Sequence, residues 1–170
     1  MVALPILLSA TALSRPPHAP DTTPDFTVDP TSVELPRPCD VAHVKPRLLS
    51  IVHAFNTGRG RTFADQFTPR PSFQPYTGDA GRRYATHPRV TSRELTRFVN
   101  ARYAAGDGWT ASRLEPPLGD AGLPAEAIYG LSLTVSYPRG RIDGGAKIII
   151  SCSSGLVRRW VGPAYSRSHP

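Results

Sequence analysis

Histidines are the side chains best suited to proton transfer near neutral pH, and this chain has five of them. His43 and His53 lie in one stretch of helical periodicity, where His53 borders the apolar stripe. A metal site needs further ligands at short spacing, and the sequence has no HxxxH or CxxC pattern. We therefore expect no metal site. His53 is the one candidate for a catalytic base, although a position at the border of the core accounts for it more simply.

Carboxylates are the other group able to act as general acids and bases. For this work a carboxyl group needs a shifted pKa, which burial in an apolar interior provides. No carboxylate lies in the middle of a predicted strand facing such an interior, so we expect solvated or helix-capping roles for all of them. The domain contains nine: Asp40, Asp65, Asp79, Glu94, Asp107, Glu115, Asp120, Glu126 and Asp143.

Motifs for nucleophilic catalysis and for phosphate binding are absent from the sequence. The segment SCSSG at Ser151–Gly155 lacks the first glycine of a nucleophile elbow, and a tight turn between strands is the better interpretation. No glycine-rich loop follows a predicted strand and opens a helix, so nucleotide binding has no support. The sequence therefore predicts no cofactor.

The chain is basic, with a net charge of +7, and all but two of its 20 basic residues are arginines. Arg93 and Arg97 fall on one helical face, and Arg158 and Arg159 precede Trp160. Solvated surface is the simpler interpretation, and a basic patch formed by these four arginines that contacts anions is the alternative. We expect no nucleic-acid binding, because no known recognition module accompanies the charge.

The amino terminus predicts export. Residues 1–14 are apolar and contain the run VALPILLSATAL, which has the length of a signal-peptide core and is too short to cross a bilayer. Residues 15–38 are rich in proline and predict a disordered, semi-rigid linker. We expect a secreted or cell-envelope protein that contacts the membrane only through this leader. A disordered apolar tail on a cytosolic protein is the alternative, because no basic residue precedes the run.

The sequence places the remaining domain at 39–164, before a short disordered tail at 165–170. Cys39 opens this domain, and Cys152 ends an apolar strand near its carboxyl end. In an oxidising compartment two cysteines can pair, and closing so long a loop would stabilise the fold. Two separate buried thiols are the alternative. The disulfide therefore depends on the prediction of export.

Apolar spacing within the domain predicts helices first and strands afterwards. Helices are expected at 40–57, 62–67 and 91–105, with Asp40 capping the first and Thr91 or Ser92 the third. Pro46 fits the first helix if it lies in the first turn. Strands are expected at 72–76, 109–114, 128–137, 147–152 and 156–161, with a hairpin turn at 138–145. This order indicates an α+β fold rather than a parallel sheet.

The segment from Leu48 to Tyr76 resembles the opening of the nuclear transport factor 2-like (NTF2-like) superfamily, which includes SnoaL-like cyclases and ketosteroid isomerases. In that family the first helix ends in a motif of the form A-φ-N-x-G, followed by a short helix and a strand. The matching positions here are Ala54, Phe55, Asn56, Gly58, Phe63, Phe67 and Phe73. The resemblance implies a cone in which a curved antiparallel sheet packs on about three N-terminal helices around an apolar cavity.

The resemblance also implies where chemistry would occur. Ketosteroid isomerases carry a tyrosine on the first helix, which corresponds to Ile51 here, and a general-base aspartate near Gln74 or Pro75. None of these three side chains can move a proton as required, so isomerase chemistry is not expected. The resemblance implies a cavity whose aromatic lining here would be Phe55, Phe73, Tyr76, Tyr129, Tyr137 and Trp160.

These observations favour a non-enzymatic domain. Its partner would be a small apolar ligand or a protein, bound through the cavity or the sheet face, and a homodimer is left open. A SnoaL-like enzyme of the isomerase, cyclase or hydratase class, acting on a small apolar substrate, is the alternative. A purely structural accessory domain in envelope assembly is a third possibility. A fold shared by many activities cannot decide between them.

Overall fold

A computed structural model of the chain describes residues 25–30, 35–75, 89–117, 125–138 and 140–163. Within them the helices are α1 (Val41–Asn56), α2 (Gly60–Ala64) and α3 (Ser92–Ala104). The strands are β1 (Thr27–Val28), β2 (Phe67–Gln74), β3 (Gly108–Glu115), β4 (Glu126–Tyr137), β5 (Gly140–Ser151) and β6 (Val157–Val161). The strands form one sheet in the order β1-β3-β4-β5-β6-β2.

The predicted α+β fold is confirmed, but the sheet is mixed rather than wholly antiparallel. The central strands β3, β4, β5 and β6 pair antiparallel as a meander. At the two edges β1 pairs parallel with β3, and β2 pairs parallel with β6. Both edge strands come from segments that precede the meander in sequence, and α3 lies in the connection between β2 and β3. A parallel arrangement requires such a long connection, and both edges have one.

Helix α1 begins where the sequence places it but passes through its proline. The Asp40 side chain accepts a hydrogen bond from the His43 amide, and Gly58 beyond the helix has a φ of +68°. Pro46 lies in the second turn rather than the first, so its missing N–H removes one helical hydrogen bond. The helix continues because its inner face is held by six buried side chains: Val44, Leu48, Ile51, Val52, Ala54 and Phe55.

Helix α3 is capped as predicted, whereas the region around α2 is displaced. The Thr91 hydroxyl and the Glu94 carboxylate bond each other's backbone amides in a capping box. Helix α2 ends at Ala64, and Phe67 already belongs to β2, which also contains Pro69 and Pro71. Prolines are tolerated there because β2 is an edge strand, where missing amide donors cost little.

The hairpin between β4 and β5 is tighter than predicted. Tyr137 pairs with Gly140, so two residues form the connection, and the predicted turn at 138–145 is wrong. Asp143 and Gly144 lie within β5, opposite Thr134 and Leu133. Their turn-forming chemistry is overridden because β4 offers an unbroken partner strand along its whole length.

Part of the segment predicted as a linker belongs to the folded domain. Phe26 is buried, and the Asp29 carboxylate accepts hydrogen bonds from the Arg113 guanidinium at 2.7–2.9 Å. These bonds lower the pKa of Asp29 below its usual value. The Lys45 ammonium contacts the Asp25 carboxylate at 2.9 Å. The residues that add β1 to the sheet are therefore fixed by one apolar anchor and two ion pairs.

Cys39 and Cys152 form the predicted disulfide, with their Cα atoms 5.0 Å apart. The bond joins the residue before the α1 cap to the residue after β5. Beside it the buried Tyr129 hydroxyl donates a hydrogen bond to the Cys39 carbonyl. The first turn of α1 is thus attached to the sheet by a covalent bond and a buried hydrogen bond.

Asn56 attaches the other end of α1 to the sheet. Its Nδ2 donates to the Trp109 carbonyl at 2.8 Å, and its Oδ1 accepts from the Trp109 amide at 2.7 Å. One side chain thereby satisfies both polar groups of a backbone unit in β3. This is the asparagine of the A-φ-N-x-G motif, and its role here is to hold the helix on the sheet.

Replacing Asn56→Ala should lower the free energy of unfolding by about 2–4 kcal/mol, because it leaves a backbone donor and a backbone acceptor without partners in a partly buried place. Chemical denaturation with an unchanged m-value would measure this. Asn100→Ala, at an exposed position on α3, is the matched control and should change stability by less than ~0.5 kcal/mol. Equal losses for the two variants would contradict the role given to Asn56.

Candidate functional site

The inner face of the sheet is curved strongly enough to bring two distant strands together. Trp109 lies on β3 and Trp160 on β6, with β4 and β5 between them. In a flat sheet these strands would be roughly 14 Å apart, from three spacings of about 4.8 Å. The two indole rings are nevertheless stacked, with centroids 5.3 Å apart and planes 11° from parallel. This contact across the cone defines the centre of the candidate site.

An aromatic cluster surrounds this contact. Phe55 from α1 stacks on the other side of Trp109 at 4.0 Å, with planes 12° apart. Further rings from α2, β2 and α3 complete the cluster through tilted and edge-on contacts. We call these residues the aromatic cluster: Phe55, Phe63, Phe67, Phe73, Phe98, Trp109 and Trp160. Because the rings contact one another, this level of the cone is packed by protein.

The structure brings together three of the six side chains predicted to line a cavity. Phe55, Phe73 and Trp160 are buried members of the aromatic cluster. Tyr129 is buried at the disulfide, and Tyr137 is half-buried on the inner face beside the hairpin connection. Tyr76, the sixth, lies outside the described residues.

Four members of the aromatic cluster are not among the predicted cavity residues: Phe63, Phe67, Phe98 and Trp109. Phe63 and Phe67 are motif positions, Phe98 belongs to the third helix, and Trp109 belongs to an alternating strand. The alternation of Trp109 and Ala111 does place both on the inner face. No local pattern could have revealed that β3 and β6 face each other across the cone.

Trp160 carries the most unusual polar group of the site. Its side chain is fully buried, and its indole Nε1 has no hydrogen-bond partner among the described residues. Buried tryptophan N–H groups normally find an acceptor, because an unmet buried donor costs about 1–3 kcal/mol. The stacking partner Trp109 covers one face of the indole ring, so an acceptor would have to approach its edge.

The buried ionisable groups of the described residues are already engaged. Asp107 is 5% exposed and accepts a hydrogen bond from Arg102 Nε at 2.6 Å, so the solvated or capping role expected for it is wrong. Tyr129 donates to the Cys39 carbonyl, and burial raises the pKa of its hydroxyl above the usual value. His53 is only half-buried, near the carboxyl end of α1 and outside the aromatic cluster.

The four arginines of the predicted basic patch do not meet. Arg93 and Arg97 are exposed on α3, which packs on the inner side of the sheet through Phe98. Arg158 and Arg159 are exposed on the outer face of β6, where Arg158 pairs with Glu126. The two pairs therefore lie on opposite sides of the sheet.

The described part of the chain offers neither a cluster of metal ligands nor a membrane-spanning helix. No group of three or more histidine, cysteine or acidic side chains is placed to hold a metal ion there. None of the helices in those ranges has the length and apolar character needed to cross a membrane.

Comparisons with known proteins bear on the fold alone. No family model matches the chain, and no curated protein matches its sequence. Many solved structures do match. A domain of unknown function with a cystatin-like fold from Nostoc punctiforme has a TM-score of 0.57 at 13% identity, covering 78% of this chain and 82% of that one. A protein of unknown function with the same fold description from Methylobium petroleophilum has a TM-score of 0.54 at 19% identity, covering 77% and 79%.

A third similar structure is the orange carotenoid protein of Anabaena, solved with bound canthaxanthin. Its TM-score is 0.51 at 13% identity, and the match covers 68% of this chain but only 34% of that one. The chain thus spans about a third of the length of the carotenoid protein. At such low identities these similarities establish architecture rather than activity. Together with the curved sheet packed on three helices within the described ranges, they show that the chain has the NTF2-like cone fold.

Proposed function

We propose that this protein is a non-catalytic binding domain that takes a small apolar ligand, bearing one hydrogen-bond acceptor, inside its cone. The observation that carries the proposal is the buried Trp160 N–H, which has no acceptor among the described residues. A ligand oxygen at the edge of the indole would satisfy this donor, and the rest of the molecule would lie beside the packed rings of the aromatic cluster.

The surroundings of Trp160 favour such a ligand over a buried water molecule. A buried water needs two to four polar partners. Among the described residues, the rings that contact Trp160 belong to Phe67 and Trp109, and a phenyl ring offers no conventional acceptor. A ligand with a single carbonyl or ether oxygen needs only the one donor that the site provides.

The state of the ionisable groups supports binding rather than catalysis. Asp107 is bonded to Arg102, and burial moves the pKa of the Tyr129 hydroxyl still further above neutral pH than its ordinary value. A general acid or base must be free to exchange a proton with substrate near the working pH. The orange carotenoid protein, which has the same fold in part and binds canthaxanthin, offers a precedent for an apolar ligand.

Native mass spectrometry of the domain purified from its own host tests the proposal. We expect the wild-type protein to carry a small molecule of defined mass. Trp160→Phe keeps an aromatic ring but removes the donor. It should raise the dissociation constant about 2–10-fold, the value of one net hydrogen bond, and so lower the bound fraction at sub-saturating ligand.

Ile128→Ser is the matched control, because Ile128 is 47% exposed on the outer face of the sheet and should not affect occupancy. Near-ultraviolet circular dichroism would check that both variants are folded. A wild-type protein that is free of any small molecule, or equal occupancy in Trp160→Phe, would contradict the proposal. A molecule recovered in chemically altered form would instead favour the SnoaL-like enzyme.

We further propose that the protein works outside the cytoplasm, in an oxidising compartment. The apolar leader and the Cys39–Cys152 disulfide support this, since structural disulfides persist where thiols are not kept reduced. Rapid alkylation of thiols in fractionated host cells should find the protein in the exported fraction with neither cysteine modified. Cytoplasmic protein with two alkylated cysteines would reject this localisation.

A further inference from the structure

Within the described residues, the first half of β5 has a free edge. Strand β6 pairs with β5 only at Lys147 and beyond, and its last residue, Val161, lies opposite Lys147. Residues 140–146 therefore pair with β4 on one side, and no strand of the described residues covers their other side. Pro163 lacks an amide N–H and cannot extend β6 along this edge. We call residues 140–146 the β5 edge.

The β5 edge carries a self-complementary pair of charges. Arg141 and Asp143 are exposed on the outer face of the same strand and form an ion pair at 2.9 Å. Edges that resist pairing usually carry charged side chains, prolines or bulges. Opposite charges two residues apart can instead favour self-pairing. If an antiparallel copy of the strand is centred between them, the positive charge of each copy faces the negative charge of the other.

We propose that the β5 edge is a homodimer interface, in which two copies join their sheets through antiparallel pairing about a twofold axis at Ile142. In this register Ile142 faces its own counterpart, and Gly140 faces Gly144. Arg141 of each copy faces Asp143 of the other, which gives two intermolecular ion pairs. The backbone groups of alternate residues supply the hydrogen bonds, and the charges fix the register.

Other occupants of the edge fit these observations less well. An unrelated peptide would gain the same backbone hydrogen bonds but has no reason to match the order Arg-x-Asp. A second copy matches it automatically, because a twofold interface requires each patch to complement itself. Gly144 and Gly145 add no side chain to this edge, and at Gly145 no heavy atom lies within 4 Å of where a Cβ would be.

Cysteine crosslinking of the full chain, with its native disulfide intact, tests the register. Directly opposed residues in antiparallel strands have Cβ atoms about 4.5–5.5 Å apart, close to disulfide distance. Ile142→Cys should therefore yield a covalent dimer on mild oxidation. Gly145→Cys is the matched control. It lies on the same strand, but in the proposed register its two copies would be about 20 Å apart, six residue rises along the pair, and should stay monomeric.

A second test exchanges the two charges by substitution and measures the dimer dissociation constant by sedimentation equilibrium. Arg141→Asp alone and Asp143→Arg alone each create like-charge pairs and should weaken dimerisation at least about fivefold. The double variant Arg141→Asp with Asp143→Arg restores both pairs and should recover the wild-type dissociation constant. Recovery in the double variant with crosslinking at position 142 supports the interface. The interface would be overturned by any of three results. These are a wild-type protein that stays monomeric at high concentration, equal crosslinking at positions 142 and 145, or a dissociation constant that the charge substitutions leave unchanged.

Discussion

The stack of Trp109 on Trp160 is the contact on which the rest of the structure depends. It joins strands that two others separate, so it can form only if the sheet curls. Phe55 stacks on the face of the Trp109 ring opposite to Trp160. Asn56, which follows Phe55 on α1, accepts a hydrogen bond from the Trp109 amide. Helix and sheet are therefore fixed to each other beside the contact between the two tryptophans. The disulfide fixes the opposite end of the same helix.

Packing and binding make opposing demands on this interior. Large rings stabilise a small domain because each buries much apolar surface, and here they fill the level of the cone around the two tryptophans. The same packing isolates the Trp160 N–H from every acceptor of the described residues. A purely structural core would have had little reason to use an indole where a phenyl ring removes the penalty. The unmet donor is therefore the feature that separates a candidate binding site from ordinary core.

Local sequence signals predicted the helices, their caps and the order of elements, because capping and periodicity act within a few residues. The A-φ-N-x-G motif predicted the fold, and the structure gives Asn56 and Gly58 their physical roles. Which distant strands pair with each other could not be predicted from local sequence patterns. The residues around Asp143 have turn chemistry but lie in a strand because β4 pairs with them. Likewise Asp107 is buried in an ion pair with Arg102, and the spacing of residues along the chain gave no sign of this pair. The site was predicted only in part for the same reason: Phe55, Phe73 and Trp160 were expected, but Trp109 and Trp160 meet only through curvature.

Far-ultraviolet circular dichroism offers the most direct test of this account, because the chain contains only two tryptophans. Closely stacked indoles couple their electronic transitions and give a paired positive and negative band. We expect this band pair in the wild-type protein and its complete loss in either Trp109→Phe or Trp160→Phe, with the two difference spectra alike. A folded protein without the band pair, or with one that survives either substitution, would mean that the sheet does not close across the cone.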